Sequence, residues 1–75
     1  MVQPRPIDMD DLRNRFMFHP ATDITGPKHE NVRQVAAVFA TRLTELVPPG
    51  RELSLAITAI EEAMMWANAG IARNQ

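Results

Sequence analysis

From Arg51 to Asn74 the chain reads RELSLAITAIEEAMMWANAGIARN, one unbroken helical pattern. It is more apolar than a lone helix in a 75-residue monomer can bury. Between Glu52 and Arg73 only Glu61 and Glu62 carry charge. Leu53, Ala56, Ile57, Ile60, Met64, Ala67 and Ile71 recur every three or four residues and form one stripe. A second stripe, rotated well away, holds Leu55, Ala59, Glu62, Trp66, Gly70 and Arg73. One stripe can pack on the rest of the chain. The other requires a second molecule, which predicts an obligate homo-oligomer with ligand sites between subunits.

No other source of stability offers itself. A chain of 75 residues has room for one domain, and domains this small usually rely on disulfides, a metal or association. Cysteine is absent, which removes disulfides and thiolate metal sites and fits a reducing cytosol. His19 and His29 are the only histidines, and no His/Asp/Glu cluster has metal-ligand spacing, so no metal or cofactor is expected. A net charge of −1 argues against DNA or an anionic membrane as partner. The opening MVQPRPIDMD lacks the apolar core of a signal peptide. The apolar run from Leu53 to Ile71 is long enough for a bilayer, but an acidic pair in its middle is too costly there. These features predict a soluble intracellular protein.

The pattern divides the chain into residues 1–7, an extended proline-containing tail, and 8–75, a single all-α hairpin domain. Asp8 to Arg15 makes a short helix, with Asp8 as cap and Met9, Leu12 and Phe16 facing inward. FMFHPATDITGP follows as a loop. The second helix starts near Gly26 or Pro27 and runs to about Val47, with Val32, Val35, Ala36, Phe39, Leu43 and Leu46 on its apolar face. Pro48-Pro49-Gly50 then turns the chain back, so the second and third helices form a long antiparallel hairpin.

Catalysis finds no support in these residues. No nucleophile stands beside a base, and Glu61 and Glu62, adjacent on a helix, point about 100° apart. An ion pair between subunits suits Glu62 better. Binding is better served. In Phe16-Met17-Phe18-His19-Pro20 the alternation sends the two rings opposite ways, Phe16 into the core and Phe18 outward. An outward ring can stack on a nucleobase; the plainer alternative packs it on the open end of the hairpin. Lys28, His29 and Arg33 flank the start of the second helix, where unpaired N–H groups and the dipole favour an anion. A solvated polar flank paired with Glu30 is the other reading. Ala37 and Ala40 beside Arg33 let another chain approach. Trp66 suits an interface core, and Arg73 either complements the helix C-terminus or joins its copies in a ring that attracts an anion.

The joined motifs F-x-[aromatic]-H-P (Phe16 to Pro20), K-H-E-x-V-R (Lys28 to Arg33) and R-E-x-S-L-A-x-T-x-x-E-E-A-M-x-W-A-N-A-x-I-A-R (Arg51 to Arg73) resemble a phage family. That family is the anti-CBASS cyclic-oligonucleotide sponges, related to the Thoeris-blocking sponges that share the hairpin domain. The resemblance covers about residues 12–74. It implies a helical protomer assembled as a homo-hexamer in the cytoplasm of the infected host, sequestering cyclic dinucleotides without cleaving them. Phe18 then looks like the base-stacking aromatic, with His19 and Pro20 beside it, and Arg33, with Lys28, like the phosphate contact. Arg73 is similar in place to the arginine of a separate cyclic trinucleotide pocket. Leu55, Ala59, Glu62, Trp66 and Gly70 would line the interface. The chain departs from the family in having Phe18 where tyrosine is commoner, which keeps stacking and loses a hydroxyl, and Gly70 where alanine is usual. Two rival functions stand beside this one: a helical module that grips a host or phage protein, and a small phosphodiesterase, which the lack of metal ligands and nucleophile disfavours.

Overall fold

The computed structural model describes residues 8–75; the expected tail, 1–7, lies outside the described residues. Three helices follow in order: α1 (Met9–Phe16), α2 (Thr25–Leu46) and α3 (Arg51–Asn74). No strand occurs among the described residues.

Asp8 caps α1 as expected, its Oδ1 accepting the Asp10 N–H at 3.0 Å. Arg15 pairs with Asp11 one turn back at 2.9 Å. The apolar side of α1 finds little to pack on. Leu12 is half-buried, whereas Met9 and Phe16, both expected inside, are exposed, Phe16 at 83%. Alternation along the FMF segment gives the two rings opposite directions but does not put protein behind either one.

The second helix begins earlier than expected. Thr22 acts as its cap: Thr22 Oγ1 accepts the N–H groups of Ile24 (3.2 Å) and Thr25 (3.0 Å), while Thr25 Oγ1 accepts the Thr22 N–H (2.8 Å). This is the reciprocal geometry of a capping box, with threonine in the position usually held by Glu or Gln. The Gly26 N–H reaches the Thr22 carbonyl at 2.8 Å, which closes the first helical ring. Thr25, 5% exposed, is the buried residue of the described chain.

Val47 to Gly50 makes the turn between the long helices. At about 1.5 Å per residue, their 22 and 24 residues give rods of roughly 33 and 36 Å. They pack side by side along a seam of half-buried residues: Val32, Ala36, Ala40 and Leu43 from α2, and Leu53, Ile57, Ile60, Met64 and Ile71 from α3. The first α3 stripe is therefore the hairpin seam, with Ala67 exposed at its margin. Polar contacts register the open end. His29 Nδ1 lies 2.8 Å from Asn68 Oδ1, and Lys28 Nζ donates to Gln75 Oε1.

No hydrophobic side chain among the described residues is fully buried. The radius of gyration is 16.1 Å, against about 11 Å for a compact chain of this length. Val35, Phe39 and Leu46, expected on the packed face of α2, are exposed. Val35 and Phe39 instead form one wall of a groove of about 650 Å³ whose other wall is Ala56, Ala59, Ala63 and Ala67 of α3. Two helices seam along one line only, so residues flanking that line stay open. Among the described residues no helix is long and apolar enough to cross a membrane.

Candidate functional site

The open end of the hairpin gathers α1, the loop to α2, the start of α2 and the last turns of α3. The loop is held at both ends. On one side His19 turns back, its Nε2 donating to the main-chain carbonyl of Asn14 at 2.8 Å. On the other, the Thr22–Thr25 box fixes the entry to α2. Between them, Phe18 is 84% exposed and Pro20 is exposed. The ring thus points outward, as the alternation requires.

Lys28 and Arg33 are exposed on α2, and among the described residues Arg33 has no hydrogen bond or ion pair. Lys28 and His29 are the fourth and fifth residues of α2, one or two places further into the helix than the expected start implies. The helix starts one or two residues earlier, at Thr25, and Thr22 Oγ1 already takes the N–H groups of Ile24 and Thr25. No hydrogen bond among the described residues joins the Phe18 loop to Lys28 or Arg33, so the protomer does not by itself connect ring and guanidinium.

A cleft of about 480 Å³ lies between α1 and α3, lined by Asp11, Asn14, Arg15, Phe16, Trp66, Arg73 and Asn74. Here the structure brings Trp66 and Arg73 together with Phe16, which sequence reasoning had placed in the core. Trp66 is 64% exposed, and its indole N–H donates to Glu62 Oε1 at 3.4 Å. Glu62 therefore has an intrahelical partner on the same stripe. Asn14, which carried no signal in the sequence, donates from Nδ2 to the Arg73 carbonyl at 3.3 Å. The second α3 stripe serves two places: Ala59 lines the apolar groove, while Trp66 and Arg73 line the cleft. A Cβ on Gly70 would meet nothing within 4 Å, so no contact inside the protomer requires glycine there. No group of His, Asp or Glu among the described residues could hold a metal ion.

The family model for the Acb2/Tad1 hairpin domain matches residues 9–72, all but the ends of the chain. The chain belongs to this family. Comparison with curated proteins and with solved structures returns no match. Acb2/Tad1 hairpin proteins are phage anti-defence sponges that bind cyclic oligonucleotides, and the family acts by binding rather than catalysis. The match spans α1, α2 and α3 up to residue 72, together with the Phe18 loop and the Arg33 flank; Arg73 lies just beyond it.

Proposed function

We propose that this Acb2/Tad1 hairpin protein sequesters cyclic dinucleotides, and cyclic trinucleotides in a separate pocket, without cleaving them. CBASS effectors in the cytoplasm of the infected bacterium are thereby deprived of their signal. The observation that carries this reading is the family match over residues 9–72, within which Phe18 and Arg33 are both exposed and uncommitted.

A cyclic dinucleotide has two flat bases and two phosphates. A twofold pocket between subunits offers two Phe18 rings and two Arg33 forks, which matches that symmetry. Stacking contributes about 1–3 kcal/mol per base. Arginine holds a phosphate through paired charged hydrogen bonds, with Lys28 adding a point charge. Arg73, repeated around an axis, suits the larger ring. The assembly is a homo-hexamer whose interfaces take up the open groove and the Leu55, Ala59, Glu62, Trp66 and Gly70 stripe.

Binding of cyclic di- and trinucleotides to single-site variants tests the assignment. Phe18→Ala weakens dinucleotide binding by about 1–3 kcal/mol for each stacked base, and Arg73→Ala weakens only the trinucleotide. The groove favours one second reading, a helical module that grips another protein. In that case Phe18→Ala is silent, and a charge placed in the groove abolishes the complex.

A further inference from the structure

The ring of Phe18 is exposed, yet the backbone that carries it is tied down, and the ties run through two residues. His19 follows Phe18 directly and is half-buried. Its Nε2 donates to the carbonyl of Asn14, in the last turn of α1. Helix carbonyls in a last turn lack an intrahelical donor, so the imidazole supplies the missing one. Asn14 in turn donates from Nδ2 to the carbonyl of Arg73, in the last turn of α3. Two successive hydrogen bonds, each to a carbonyl at a helix end, thus run from the Phe18 loop through α1 to α3. In a helix as short and thinly packed as α1, these bonds decide where the loop sits.

We infer that His19 and Asn14 are positioning residues that strap the Phe18 loop to the end of α3 and hold the ring ready for a base. This rests on the proposed role of Phe18 as the stacking ring. A ring already held in place loses less freedom on binding than one on a loose loop. The Nε2 proton of His19 is committed to the main chain, so that atom is not available to a ligand.

The strap separates from a direct ligand contact by the choice of replacement. Glutamine can reach the same carbonyl with an amide N–H; leucine has similar bulk and no donor. With cyclic GMP–AMP as probe, His19→Leu raises Kd three- to tenfold, the worth of one neutral hydrogen bond. His19→Gln restores it to within about twofold of the parent. Asn14→Ala gives a loss like that of His19→Leu, and the double variant is no weaker than either single one, because breaking either link frees the loop. In the ligand-free protein, amide exchange across residues 17–21 speeds up in His19→Leu and not in His19→Gln, at unchanged helix content.

A His19→Gln variant as weak as His19→Leu, with slow loop exchange, overturns the strap and makes the imidazole a ligand contact. Parent-like affinity and exchange in His19→Leu overturns it too, as do additive losses in the double variant. Failure of the parent protein to bind any cyclic dinucleotide defeats the sponge reading instead. Loop exchange in the ligand-free variants then still decides whether the strap exists.

Discussion

At the scale of single residues, the proposed pocket divides binding between a ring and a cation. Arg33 has no partner among the described residues, so its removal leaves no buried group exposed and disturbs no fold contact. Arg33→Ala therefore costs at least about 1.5 kcal/mol of cyclic dinucleotide affinity, the low end for a charged hydrogen bond, with little change in unfolding temperature. Calorimetry reads the first and thermal unfolding the second; unchanged affinity removes Arg33 from the pocket. Phe18→Tyr keeps the stacking face and retains binding, whereas Phe18→Ala loses about 1–3 kcal/mol for each stacked base.

Elements are where the Thr22–Thr25 box matters. Thr22 Oγ1 serves two N–H groups at the head of α2, and alanine there leaves both without it. Thr22→Ala lowers stability by about 0.5–2 kcal/mol, measured by denaturant unfolding. The hairpin itself was legible in the sequence, since the Pro48-Pro49-Gly50 stop and the Leu53-to-Ile71 periodicity are strong local signals. The box was not, because Thr-x-x-Thr lacks the Glu or Gln that usually marks it, and Gly26-Pro27 drew the start downstream. Phe16 was misplaced for a different reason. Alternation gives a direction for each ring, but α1 packs too thinly for the inward direction to meet a core. Asn14 was illegible altogether, since its role depends on α3 ending beside it. For Phe18, whose exposure needs only the local turn chemistry, the sequence was sufficient.

For the whole molecule, the absence of any fully buried hydrophobic side chain among the described residues asks for association. Light scattering should give several times the protomer mass of 8.4 kDa, and a clean, stable monomer at working concentration would sink the subunit-interface argument. Ala63→Arg, which sets a charge in the groove, lowers that mass and the helix content together. The central claim is that the assembly holds a signal molecule without changing it. The most direct measurement is to mix the purified protein with cyclic di- and trinucleotides, separate bound from free, denature the protein and run chromatography on what is released. The account predicts depletion of a cyclic dinucleotide followed by its release intact. Release of a cleaved product, or no depletion of any ring, would contradict it.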